Sequence, residues 1–149
     1  MEKPDVYLGA ELSTRDNEQG GECWAMLSDK YCADMVKNIE ATLAKKGLRL
    51  PTKCNLPTNH GYRPEMDCTG ELEADGLQWY QELIGFLRWP VEISIVDIIL
   101  ETAILSKHLS LPREGHLEQV LHIVGYMKRR MKLRLPFDSR YPTTNENFQ

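Results

Sequence analysis

Four cysteines, four histidines and a scatter of carboxylates are the residues of this chain whose types could do chemistry. Cys23, Cys32, Cys54 and Cys68 form no CxxC pair, and His60 does not stand at the spacing of a zinc knuckle. Free thiols in a reducing compartment are the expectation, over two disulfides in an oxidising one. His116 and His122 are six apart, whereas two imidazoles holding a metal from one helix face stand four apart. They read as surface histidines or as hydrogen-bonded packing residues. Glu65, Asp67, Glu71 and Glu73 crowd together without a clustering motif, which fits a solvated acidic loop. No GxSxG, Walker lysine loop, HExxH or GxGxxG occurs. Gly9, Gly85 and Gly125 are isolated, so they read as close-packing positions and cradle no phosphate. No catalytic and no metal-ligating residue is assigned.

What remains is charge. "KRRMKLR", from Lys128 to Arg134, holds five basic residues in seven positions. Complementing the negative end of a helix accounts for two or three of them. The excess, which includes Lys128, Arg129 and Arg130, predicts contact with phosphates or with an acidic partner in the same chain. The whole chain carries a net charge of -4, so any pull on nucleic acid must be local.

The elements that must carry these residues are legible in part. At 149 residues, 42% hydrophobic and 27% charged, the chain suits one ordinary domain. "VYLGAEL" and "ECWAMLS" alternate loosely around a polar loop ending in Gly20-Gly21, which predicts a β-hairpin. A lone hairpin is marginal in water, and no partner sheet is evident further on. Ser28 reads as an N-cap, followed by a helix with Cys32, Met35, Val36, Ile39 and Leu43 inward and Gly47 as its left-handed stop. Periodicity then vanishes from Leu48 to Ala74, a long irregular connection expected to be the first target of proteases.

Asp75 can cap a helix over Gly76–Trp89, with Leu77, Tyr80, Ile84 and Leu87 inward and Pro90 ending it. "SIVD", from Ser94, resembles a capping box for a helix to about Leu109. That helix is apolar on most sides and so belongs at the centre of the packing. Pro112 opens the last helix, with Leu117, Val120, Leu121, Val124, Met127 and Met131 at helical spacing. The apolar run Tyr80–Ala103 is not a membrane span, because Pro90 splits it and Glu82, Arg88, Glu92, Asp97 and Glu101 recur through it. No secretion leader is recognisable at Met1. An intracellular protein, in cytoplasm or nucleus and without membrane contact, is expected.

Taken in order, several segments resemble the C-terminal part of the reverse transcriptase of copia-type LTR retrotransposons. The matches are Leu8-Gly9, Leu27-Ser28 with Tyr31, Tyr80, Ile84-Gly85 with Leu87, Asp97-Ile98, Pro112 with His116, and Tyr126-Met127-Lys128. The family's Arg-Pro before Asp-Ile is replaced by Ile95-Val96. The resemblance spans nearly the whole chain and rests on the number of matches, not on any one.

It implies an α+β, mainly α fold: an N-terminal hairpin, a long loop, and about four helices packed as a thumb and connection bundle. Residues 1–27 would be the primer-grip-like end of the palm, 28–132 the thumb and connection with loop 48–74, and 133–149 a polar tail towards ribonuclease H. The implied role is non-catalytic positioning of an RNA/DNA template-primer within a polyprotein, alongside the palm and ribonuclease H regions. The catalytic aspartates of both would lie outside this region, so the chain by itself is expected to be inactive. Magnesium is implied for the full polymerase and no cofactor for this chain. By resemblance Leu8, Gly9 and Ala10 belong to the primer grip. Lys30 and Lys37, seven apart on the thumb helix, can reach phosphates, unless Asp34 pairs with Lys30. The other reading is a small helical protein-interaction module derived from a retroelement.

Overall fold

The computed structural model describes residues 6–7, 10–16, 21–130 and 135–137. The fold is α+β and mainly helical, with an antiparallel sheet and four helices among the described residues. The strands are β1 (Val6–Tyr7), β2 (Ala10–Asp16), β3 (Glu22–Leu27) and β4 (Leu135–Phe137), hydrogen-bonded in the order β1-β2-β3-β4. The helices are α1 (Asp29–Lys45), α2 (Ala74–Ile93), α3 (Ile99–Leu105) and α4 (Glu114–Arg129).

The hairpin is β2 and β3, in a register that pairs Leu12 with Met26 and Thr14 with Trp24. Cys23, Ala25 and Leu27 turn inward while Glu22 and Trp24 turn out, the period-two pattern of a half-buried strand. The expectation that the chain offers the hairpin no further strand is corrected. β4 comes from the segment read as a polar tail and pairs antiparallel with β3, setting Trp24 against Phe137. Two strands alone bury too little to be stable, and flanking strands on both sides of the hairpin supply the missing pairing.

α1 forms as its spacing predicts, burying Cys32, Met35, Val36, Ile39 and Leu43, and Gly47 takes φ +69° after its end. Ser28 occupies the N-cap position without bonding the helix backbone. Its hydroxyl lies instead 2.6 Å from that of Ser94. Ser94 is therefore not the cap of a following helix. It closes α2, and a tight 3-10 turn over Val96–Ile98 leads into α3.

Pro90 does not end α2 but lies buried within it, three residues before the helix stops at Ile93. Proline removes the N–H that would bond the carbonyl four residues earlier, here that of Phe86. The Tyr31 hydroxyl donates to this carbonyl at 3.3 Å, and the Tyr31 ring packs on Trp89 with centroids 4.4 Å apart. A side chain from α1 thus meets the vacancy that proline creates in α2.

The apolar α3 was expected at the centre of the packing. It is one short helix with Thr102 and Leu105 inward and Ile99 and Leu100 exposed, preceded by the buried Ile98 of the 3-10 turn. α4 is central instead, buried at every position from His122 to Met127. One side of α4 packs through Val120, Ile123, Val124 and Met127 into the apolar core. Tyr80, Leu83, Ile84 and Leu87 of α2 join the same core. Among residues expected inside, Leu77 and Leu121 are half-buried.

Candidate nucleic-acid interface

α1 places its two lysines where an external partner can reach them. The buried stripe through Cys32, Met35, Ile39 and Leu43 fixes the helix's rotation, and at 100° per residue Lys30 and Lys37 fall opposite it. Both are exposed. No ion pair joins Lys30 to Asp34 among the described residues. Ala10, expected in the primer grip, is fully buried, so its side chain faces the interior. Leu8 and Gly9 lie outside the described residues.

The C-terminal cations are partly engaged within the chain. Lys128 pairs with Glu40 of α1 at 2.6 Å. Arg129 donates to Asn55 Oδ1 at 2.7 Å. Arg130 lies over the ring of Tyr126, 5.6 Å from its centroid. The acidic partner expected as one explanation for this cluster is present for Lys128. Both members of that pair are about half exposed, so it contributes on the order of 0.5 kcal/mol or less and leaves Lys128 accessible. The Glu40–Lys128 contact also brings the C-terminal cluster beside α1, one helical turn beyond Lys37.

The connection over residues 48–73 is better anchored than its lack of periodicity suggests. Leu50 and Cys54 are buried in the core cluster. His122 Nε2 lies 3.0 Å from Leu56 O, which assigns that nitrogen the proton and leaves Nδ1 as an acceptor facing Cys54 Sγ at 3.6 Å. His116 is arranged the same way. Nε2 lies 3.0 Å from Pro64 O, and Nδ1 accepts from the Arg113 backbone N–H. The expectation of hydrogen-bonded packing histidines is thereby met at both positions. Both are buried, and each holds a carbonyl of the connection against α4.

Asp67 organises the acidic half. Its carboxylate accepts from Tyr62 Oη at 2.6 Å and from the backbone N–H and hydroxyl of Thr69 at 2.9 and 2.6 Å. Burial pushes this carboxyl up, but the bonds from Thr69 and Tyr62 outweigh it and hold it at about 2. Thr69 Oγ1 in turn accepts from the Gly115 N–H, an otherwise unpaired donor in the first turn of α4. Burial, then the bond to Asp67, push the Tyr62 phenol far up. Cys54 is likewise raised by burial, consistent with a thiol that packs and does not attack. All four cysteines are free.

Two glycines permit this contact, and one reading of a third is corrected. A Cβ on Gly125 would stand 2.6 Å from Pro51 O, and one on Gly115 would collide with the Asp67 carboxylate. Gly85, read as a close-packing position, has open space around it. Gly9 lies outside the described residues.

A basic stretch escaped the motif-based reading. Residues 41–64 contain Lys45, Lys46, Arg49, Lys53 and Arg63 and no acidic residue, in a chain with 22 acidic side chains. A running count of charge along the sequence finds it, whereas a search for apolar periodicity does not. The fold lays part of it against the end of α4. Pro51, Thr52 and Lys53 line one cleft together with Gly125, Lys128 and Arg129. Among the described residues no group of three His, Cys, Asp or Glu side chains could hold a metal ion, and no helix is long and apolar enough to cross a membrane. In comparisons with known proteins, no family model, no curated protein and no solved structure matches the chain.

Proposed function

We propose that this chain is a non-catalytic part of a retrotransposon RNA-directed DNA polymerase and helps to position the template-primer within the full polyprotein. The ordered matches from Leu27-Ser28 to Tyr126-Met127-Lys128 support the assignment. The observation that carries the role is the placement of Lys30 and Lys37 on the solvent face of α1, opposite its buried stripe. Two ammonium groups on one exposed helix face can contact successive phosphates without reading bases. RNA–DNA heteroduplexes are recognised mainly by shape and backbone, which suits such a surface.

Binding of a heteroduplex, followed by fluorescence anisotropy across a salt series, tests the role. It should be sequence-blind and fall steeply with salt. The Lys30→Gln/Lys37→Gln variant should lower the salt slope by about two, at roughly one per phosphate contact. Absence of heteroduplex binding at low salt would remove the positioning role. Template-dependent incorporation by the purified chain would remove its non-catalytic character.

One observation favours the protein-interaction reading. Val96, Ile99 and Leu100 stand exposed together around the start of α3, with Leu100 66% accessible. Isolated exposed apolar residues are ordinary, but three neighbours form a patch that a partner can cover.

A further inference from the structure

We propose that the cleft between segment 50–53 and the C-terminal end of α4 is a phosphate-binding site, and that it is the principal anchor for the nucleic-acid backbone. The second clause rests on the template-primer reading; the first does not. The cleft is about 590 Å³ and is lined by Glu40, Thr52, Lys53, Lys128 and Arg129 over a floor of Gly125 and Pro51. Three cations meet one carboxylate there, and Lys128 already neutralises that carboxylate at 2.6 Å.

The site is built by packing, not left over from it. Gly125 carries no side chain, and Pro51 O lies where its Cβ would stand. That contact lowers the connection onto α4, with Leu50 and Cys54 buried on either side of it. Thr52 and Lys53, between those two anchors, are left exposed beside the end of α4. Arg129 is steadied by Asn55 from the same connection, so its guanidinium loses less freedom when it meets an anion. A threonine hydroxyl, an ammonium and a planar guanidinium are the donors that phosphate oxygens take. Arg49 and Lys46 continue the basic strip outside the cleft, and Lys46 packs over Trp79 at 4.4 Å. Lys37 lies one turn along α1 from Glu40. A backbone could therefore run from the cleft to the face of α1 without crossing an unpaired carboxylate of the cleft.

Amide spectra of the whole chain during addition of inorganic phosphate, then of an RNA–DNA heteroduplex, read the site directly. Thr52, Lys53, Gly125 and Arg129 are expected to move with either ligand. The Lys53→Gln/Arg129→Gln variant should bind the heteroduplex about tenfold more weakly near 50 mM salt, with a slope lower by about two. Lys53→Gln alone, at an exposed position, should give part of that loss with an unchanged melting temperature, and Lys53→Arg should restore it. If phosphate moves these amides and the heteroduplex does not bind, the anion site stands and the template-primer reading falls. If the heteroduplex binds with the same affinity and slope in the Lys53/Arg129 variant, the cleft is overturned as the backbone anchor and the α1 lysines carry the reading alone. Phosphate leaving all four amides unmoved overturns the cleft as well.

Discussion

From Leu50 to Leu56 the connection between α1 and α2 is basic and held down by apolar side chains, whereas from Tyr62 to Glu71 it is acidic and held by hydrogen bonds. Both halves rest on the same helix. In each, α4 offers a histidine that binds a carbonyl of the connection and a glycine that lets the chain come close. His122 and Gly125 serve the basic half; His116 and Gly115 serve the acidic half. The difference lies in what fills the contact. Burying Leu50 contributes about 2 kcal/mol with little demand on geometry. The Asp67 network depends on several short bonds made at once between half-buried and exposed groups, each contributing about 0.5–1.5 kcal/mol. One segment can thus look featureless in sequence and still be fixed, by two kinds of chemistry laid end to end.

The largest expected effect comes from breaking the basic half at its closest approach. Gly125→Ala sets a methyl 2.6 Å from a backbone carbonyl that cannot rotate away. Overpacking costs about 1–3 kcal/mol, against roughly 1 kcal/mol gained in helix propensity. Because the obstacle is backbone the upper end of that cost applies, and urea denaturation should show a net loss of about 2 kcal/mol, with new tryptic cleavage at Lys53. An unchanged midpoint would mean that the connection does not rest on α4 there.

Gly115→Ala strikes the acidic half, where the obstacle is the Asp67 side chain and not backbone. A side chain can yield, at the cost of its bonds to Tyr62 and Thr69. A smaller loss, near 1 kcal/mol, is expected, with new cleavage by a glutamate-specific protease at the exposed Glu65. Cleavage at Lys53 in both variants would show the two halves to be one cooperative unit.

The smallest effect is a pH dependence confined to the acidic half. Asp67 is held at about 2 in the folded chain against an ordinary value of 3.8. A depressed carboxyl contributes stability that is fully present above its unfolded value and lost as pH falls through the folded one. Melting temperature should therefore decline between about pH 4 and pH 2 more steeply in the native chain than in Asp67→Asn. Equal slopes in that window would remove Asp67 as the anchor of the network.

What the sequence by itself determined is whatever depends on neighbours a few residues apart. The α1 stripe from Cys32 to Leu43 is legible because one helical face meets the core and the other meets water. The stop at Gly47 is legible because glycine adopts φ +69° without steric cost. The inward sets of Tyr80, Ile84 and Leu87, and of Val120 and Val124, follow from the same periodicity. Tertiary structure decided the rest, because the deciding partner lies far along the chain. Pro90 sits within α2, and the Phe86 carbonyl that it leaves free is met by Tyr31 of α1. β4 is a strand because β3 offers it an edge. α4 becomes central because the connection covers its polar side, turning His116, Gln119 and His122 inward against any simple amphipathic pattern. The basic cleft belongs to this second group. Its charges can be counted in the sequence, but Lys53 and Arg129 come together only where Gly125 lets two distant segments touch.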